Sequence, residues 1–375
     1  MSNTEKEENK VIETRLLRST EKASLSLRAL YERYGYLPFK MSKFEEYDLY
    51  VRNKDFLVSE NIITFNDTDG RLLALKPDVT LSIIKNLTYE SGCKEKVYYN
   101  ENVYRVSHKF HRFKEIMQAG LECIGDTDIT DTCEAIELAA KSLSVISEAF
   151  VLDISHLGIL SKALSRATKK TSFAKEATRL LAEKNKHELA ALCDEYSVDG
   201  EMKEVIISLA DMYGEVSETL TRLAPICQKI GAVKEYEEFV SLCALLSSSE
   251  NFANMRIDFS VVNDMSYYSG IVFRGFIEGI PDGVLSGGEY TAFMKRMGKG
   301  AGAVGFAVYL DMLDELVNDK ADSYDVDVLV LYNEKVDTGA LIELKNSLMR
   351  EGNRVSLQKA IPAKLRYKKI IKVEK

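Results

Sequence analysis

With 375 residues and 46% hydrophobic content, the chain is long enough to bury a sizeable core and to divide into two or three domains. A net charge of −8 weighs against a broad phosphate-binding surface, and so against a nucleic-acid partner. No apolar run reaches the roughly 18 residues a membrane span needs, and the charged start MSNTEKEENK lacks an apolar signal region, so the expected address is cytoplasmic.

In chain order, residues 11–34 carry Leu16, Leu17, Ala23, Leu27, Leu30 and Tyr31 at helical spacing, and Gly35 supplies a stop. An extended segment follows toward Tyr47. Residues 62–75 read as two short strands, IITF and LLAL, around the turn Asn66-Asp67-Thr68-Asp69-Gly70. Pro77 suits a turn into an apolar helix, with Asp78 at the positive end of its dipole, so Asp78 reads first as a helix-start carboxylate. Residues 96–106 and 116–124 predict a long antiparallel hairpin. In its second strand Gln118, Gly120, Glu122 and Ile124 share one face at period two, setting an amide and a carboxylate side by side where they could hold an ammonium group. His108 and His111, in the intervening loop, have no third ligand nearby and read as solvated rather than as a metal site. A helix over 130–150 and a strand over 151–154 precede an almost wholly helical insertion at about 157–250, to which no chemistry is assigned.

Residues 256–262 and 267–276 are rich in β-branched and aromatic residues and flank the polar pair Asn263-Asp264, a pattern that predicts a hairpin. Gly287-Gly288 allows close backbone approach, either in a tight sheet corner or beneath a ligand. A short helix over 290–297 and a strand-to-helix junction over 303–313, containing Gly305, follow. Beyond a polar linker at 318–324, a strand at 326–332, a helix at 338–350 and a strand from Arg354 predict a small α/β appendage over 321–375, leaving 1–320 as the core. The basic end, 364–375, reads as a solvated tail. The six cysteines include no C-x-x-C pair, which favours neither a zinc site nor a disulfide framework, and no metal or cofactor is expected.

Five stretches in register carry a resemblance: TFNDTDGRLLALKPDVT (64–80), YRVSHKFHRFKEIMQAGLECIG (104–125), YYSGIVF (267–273), SGGEY (286–290) and AVGFAVYLDML (303–313). Together they resemble the catalytic core of class II histidyl-tRNA synthetases over most of residues 11–315. The resemblance implies an α+β fold, with a class II aminoacyl-tRNA synthetase-like antiparallel sheet flanked by helices, and a homodimer. It also implies a histidine pocket built from Asp78, Thr80, Arg105, Gln118, Glu122, Tyr267 and Tyr268. In that pocket Asp78 and Tyr268 serve the imidazole, and Gln118 and Glu122 the ammonium. A vestigial nucleotide site is implied at Arg112, Gly287, Gly288 and Gly305.

The departures bear on activity. The synthetases' hairpin motif reads Arg-x-Glu, whereas Arg105 is followed by Ser107 in the acid's place. Asn263 stands where an Arg precedes the Tyr pair by four residues, and Ser266 where an Asp precedes it directly. Gly-Gly-Arg-Tyr-Asp has become Gly287-Gly288-Glu289-Tyr290-Thr291, and the closing Glu-Arg has become Asp311-Met312. Amino-acid activation needs cations against the charge that develops on the phosphates, an electrostatic contribution that is usually large. Without them the site reads as one that binds and does not activate, and no catalytic residue is assigned. Among non-catalytic paralogues, the Pro-Asp-x-Thr turn and the Tyr-Tyr-Ser-Gly-Ile-Val-Phe string are similar to the regulatory subunits of ATP phosphoribosyltransferase. That similarity implies a hetero-oligomer with a short-form ATP phosphoribosyltransferase catalytic subunit, at the first step of histidine biosynthesis, with histidine as effector and no tRNA. A divergent amino-acid ligase and a ligand-free dimeric scaffold are the alternatives.

Overall fold

Helix α1 (Ser19–Arg33) begins where the Glu21 carboxylate accepts the Arg18 N–H at 2.8 Å, and it ends before Gly35, whose φ of +79° reverses the chain. This computed structural model describes residues 17–52, 62–87, 90, 92–106, 112–262, 267–316 and 324–374. Contacts divide the chain into two units, Met1–Glu315 and Leu316–Lys375.

In the first unit, strands β1 (Leu37–Pro38) and β2 (Phe44–Glu46) and helix α2 (Tyr47–Arg52) lead to β3 (Thr64–Asn66) and β4 (Leu72–Leu75). The β3–β4 hairpin is the expected one, its turn closed by the Gly70 N–H donating to the Asp67 carbonyl at 3.0 Å. Helix α3 (Thr80–Asn86) follows. Strands β5 (Lys94–Val106) and β6 (Phe113–Gly125) then pair antiparallel along their whole length. Helix α4 (Ile129–Ile146) starts at Asp128, which accepts the Thr130 N–H at 2.8 Å, and β7 (Phe150–His156) follows it.

The insertion is helical as its spacing predicts: α5 (Leu157–Ala167), α6 (Thr171–Ala182), α7 (Lys186–Glu195) and α8 (Gly200–Ala210), the short β8 (Tyr213–Gly214), then α9 (Val216–Ile230) and α10 (Val233–Leu246). The chain returns through β9 (Met255–Asp258), β10 (Ile271–Ile277), β11 (Leu285–Glu289), α11 (Thr291–Arg296) and β12 (Gly302–Tyr309), which passes directly into a 3-10 turn, Leu310–Leu316.

Nine strands form one sheet in the order β1-β5-β6-β12-β11-β10-β7-β9-β8. Every pair from β5 to β7 is antiparallel, whereas β1 on β5 and β9 on β7 are parallel, so the expected antiparallel sheet is mixed toward its edges. Helices α1 and α4 cover one face: α1 lies on β5 and β6, and α4 on β7, β10, β11 and β12. The opposite face holds a core of Tyr50, Ala74, Leu81, Ile84, Tyr99, Ile124, Tyr290 and Phe293, each nearly or fully buried. Burying such a side chain contributes about 1.5–3 kcal/mol.

The predicted hairpin over 256–276 does not form. Strands β9 and β10 lie on opposite edges of β7, β9 parallel to it and β10 antiparallel over seven residue pairs. Alternation and a polar turn specify two extended runs and a reversal, but not the partner of each run, and β7, contributed from before the insertion, lies between the two and pairs with both. Asn263-Asp264 lies outside the described residues.

The second unit is a three-stranded parallel sheet in the order β14-β13-β15, with β13 (Val326–Tyr332), β14 (Val355–Gln358) and β15 (Tyr367–Val373). Helix α12 (Thr338–Arg350) starts at Asp337, which accepts the Ala340 N–H at 2.8 Å. Its core gathers Val328, Val330 and Leu341 against Leu344, Leu357, Ile371 and Val373. The end read as a solvated tail is therefore a strand. Its lysines, Lys368, Lys369 and Lys372, are exposed while Ile371 and Val373 pack inward, and a run of charge in sequence conceals that alternation. Among the described residues, no helix is long and apolar enough to cross a membrane.

Candidate functional site

Glu122 is the centre of the site. Period two in β6 turns it to the face away from α1 and α4, together with Gln118 and Gly120, and both Gln118 and Glu122 are 3% exposed. Its Oε1 accepts the Thr80 hydroxyl at 2.7 Å and its Oε2 accepts the Tyr290 hydroxyl at 2.7 Å. Gly305 lies opposite Glu122 in the β6–β12 register, and a Cβ there would stand 1.7 Å from Glu122 Oε2, so the glycine makes the room the carboxyl occupies. Burial pushes the Glu122 carboxyl up to about 8, and the two hydroxyls only partly offset this.

Asp78 has a structural duty and faces the site as well. Its Oδ1 accepts the Leu81 N–H at 2.9 Å, the helix-start contact expected of it, and its Oδ2 lies 3.6 Å from the Arg105 guanidinium. Arg105 also donates from Nε to the Pro77 carbonyl at 2.7 Å, which locks β5 to the Pro77 turn. The Tyr267 ring lies 4.7 Å from Tyr268, 5.4 Å from Tyr290 and 4.9 Å from Phe293. Burial first, then the neighbouring carboxylates Asp78 and Glu122, push the Tyr267 phenol well up, and the Thr80 hydroxyl works against them. Tyr268 is raised by burial and by Tyr309, Glu122 and Asp78, with Arg105 opposing.

The structure thus brings Asp78, Thr80, Arg105, Glu122, Tyr267 and Tyr268 together, with Gln118 two residues along the Glu122 face. Sequence reasoning missed Tyr290, although it lies within the SGGEY string and shares the alternation of Gly288. It also missed Lys76, fully buried beside the Pro77 turn and paired with Glu101 at 3.0 Å. Desolvation lowers the Lys76 pKa more strongly than Glu101 raises it.

The nucleotide-site residues fare differently. Arg112 is exposed immediately before β6. Gly287 faces the helix-covered side, where a Cβ would stand 2.4 Å from the Phe306 Cβ and 2.6 Å from Phe273, so it is a packing glycine. A Cβ on Gly288 would stand 2.6 Å from the Ile271 carbonyl and 2.9 Å from both Tyr268 and Val272, and one on Gly305 would stand 1.7 Å from Glu122. At each of the three glycines a Cβ would meet the chain's own atoms closer than 3 Å. Glu289, which stands where the resemblance has a second arginine, also faces the helix side, where it bonds Thr132 of α4. Asp311 pairs with Lys114 at 2.5 Å. Ser107, His108, His111, Asn263 and Ser266 lie outside the described residues, and among the described residues no group of three His, Cys, Asp or Glu could hold a metal ion.

An acid-and-tyrosine pocket on a sheet of this order defines the class of protein: a family model described as histidyl-tRNA synthetase matches residues 13–313, and the chain belongs to that family. Its curated relatives within the family carry a different name. The ATP phosphoribosyltransferase regulatory subunit of Oceanobacillus iheyensis is 27% identical over 330 residues, spanning 87% of this chain and 81% of the relative. The protein of the same name from Clostridium kluyveri is 28% identical over 321 residues, spanning 82% and 81%. In fold, the chain is similar to a solved ATP phosphoribosyltransferase regulatory subunit/histidyl-tRNA synthetase from Bacillus halodurans, with a TM-score of 0.75 at 23% identity over 94% of this chain and 93% of that one. It is also similar to a chain of the ATP phosphoribosyl transferase (HisG:HisZ) complex from Thermotoga maritima, with a TM-score of 0.59 at 21% identity over 78% and 97%.

Proposed function

We propose that this chain is the regulatory subunit of an ATP phosphoribosyltransferase, itself non-catalytic, acting in the cytoplasm with a short-form catalytic subunit at the first step of histidine biosynthesis. One observation carries the reading: Asp78, Thr80, Arg105, Glu122, Tyr267 and Tyr268 gather on one face of the sheet, while Tyr268 and Glu122 stand against Gly288 and Gly305, where the resemblance puts a nucleotide. A site that holds an amino acid without activating it suits an effector. The names of the curated relatives and the likeness to the Thermotoga maritima complex support the same partner.

On this reading histidine is the effector. Asp78 and Tyr268 receive its imidazole, Gln118 and Glu122 its ammonium, and Thr80, Arg105 and Tyr267 complete the pocket. The chain works as a homodimer within the hetero-oligomer. Residues 321–375 are the remnant of an anticodon-binding domain, and no tRNA is bound. Histidine acts on the partner only through its different affinities for two states of the assembly.

The test mixes the purified chain with a short-form catalytic subunit and follows ATP phosphoribosyltransferase turnover with and without histidine. Complex formation and a histidine-sensitive rise in rate are expected. No complex together with an unchanged rate would overturn the reading, and histidine-dependent ATP/pyrophosphate exchange by the chain alone would favour a ligase instead.

A further inference from the structure

Position 289 holds a glutamate where the family string has an arginine, and the side chain is fully engaged. Its Oε1 accepts the Thr132 hydroxyl from α4 at 2.6 Å, its Oε2 accepts the Ile271 N–H at 3.0 Å, and its backbone carbonyl accepts the Ser269 N–H at 3.0 Å. One residue thus grips segment 269–271, which directly follows Tyr267 and Tyr268. Gly270 stands inside that grip: a Cβ there would lie 1.9 Å from Glu289 Oε2, so the segment closes on the carboxylate only because the position is glycine. The Tyr268 ring then lies against Gly288, the residue before Glu289. An arginine carries donors and no acceptor, so it could take neither the Ile271 N–H nor the Thr132 hydroxyl proton.

We propose that Glu289 is a positioning residue that bridges Thr132 on α4 to backbone 269–271, thereby fixing the Tyr267-Tyr268 pair in the pocket and tying the pocket to α4. The consequence for ligand affinity rests on the histidine reading above; the grip on 269–271 does not. Glu289 touches no ligand on this account. It sets the geometry of residues that do.

The test compares full-length wild type with Glu289→Gln, Glu289→Ala, Glu289→Arg and Thr132→Val by two readouts: amide hydrogen exchange across 267–273 and calorimetric titration with L-histidine. Glutamine keeps an acceptor for the Ile271 N–H and can donate to the Thr132 hydroxyl, so it stays within about twofold of wild type in both readouts. Alanine and arginine speed exchange at Ser269 and Ile271 and weaken histidine, each by about tenfold or more, the scale of losing one to two buried hydrogen bonds. Thr132→Val, which spares the Ile271 bond, falls between and decides the matter where the Glu289→Ala protein does not fold. A folded Glu289→Ala protein with wild-type exchange at 269–271 overturns the grip. Faster exchange with unchanged histidine affinity overturns the positioning role. Should wild type bind no histidine, the effector reading fails, and the exchange data alone decide whether Glu289 holds the tyrosine segment.

Discussion

Glu122→Gln is the most exacting test of the site. The folded chain holds this carboxyl at about 8 against an ordinary 4.5, because burial penalises the carboxylate and its two partners are neutral hydroxyls. For a group whose folded pKa is raised, the stabilisation is fully present below the unfolded value and is lost as pH rises through the folded one. The window therefore runs from about pH 4.5 to about pH 8. At about 1.4 kcal/mol per tenfold change in proton affinity, the whole span amounts to about 5 kcal/mol, of which about 3 kcal/mol falls between about pH 5.5 and about pH 8.5. Glutamine does not titrate, yet it can accept from one hydroxyl and donate to the other, so the local bonds survive. Urea denaturation at both pH values should show wild type losing about 3 kcal/mol relative to Glu122→Gln as pH rises. A difference that stays constant across the window would refute the assignment of a neutral, buried Glu122. The same physics tests the ligand: an ammonium against Glu122 would restore the carboxylate and expel its proton. Histidine calorimetry near neutral pH should then give heats that depend on the ionisation enthalpy of the buffer, and equal heats in two buffers would remove the ammonium from Glu122.

Gly305→Ala places a methyl 1.7 Å from Glu122 Oε2 and 2.5 Å from the Leu121 carbonyl, and the second of these is backbone that cannot swing aside. A loss of about 2–4 kcal/mol in chemical denaturation is expected, together with weakened histidine uptake. Lys76→Met removes the buried cation from Glu101, which is itself 19% exposed and can recover some hydration, so the expected cost at neutral pH is about 2 kcal/mol, below that of breaking a wholly buried pair. Deleting 367–375 strips β13 of the strand that contributes Ile371 and Val373. Amide protection across 326–332 should collapse, whereas retained protection would mean that β14 and α12 suffice.

Much of the fold was legible because its signals are local. The β3–β4 turn, the β5–β6 alternation, the helical insertion and the strand and helix of the C-terminal unit each announce themselves within a short window, where side-chain period reports which face will be buried. The pocket residues were legible as types through the family strings, and the alternation that joins Gln118 to Glu122 is a property of one strand. Three readings failed where the deciding contact came from elsewhere. Strands β9 and β10 separate because β7 lies between them; 364–375 pairs with β13 despite its lysines; and Glu289 turns toward Thr132, which no pattern around residue 289 reveals.

By itself, then, the sequence determined the kinds of element, their order, and which residue types could form an acid-and-tyrosine pocket. Tertiary structure alone decided that Gly305 faces Glu122, that Thr80 and Tyr290 hold the carboxyl between them, and that Tyr268 lies against Gly288. Local periodicity encodes burial, but the partner across the sheet is chosen by packing over the whole core, and the ionisation of Glu122 follows from that choice.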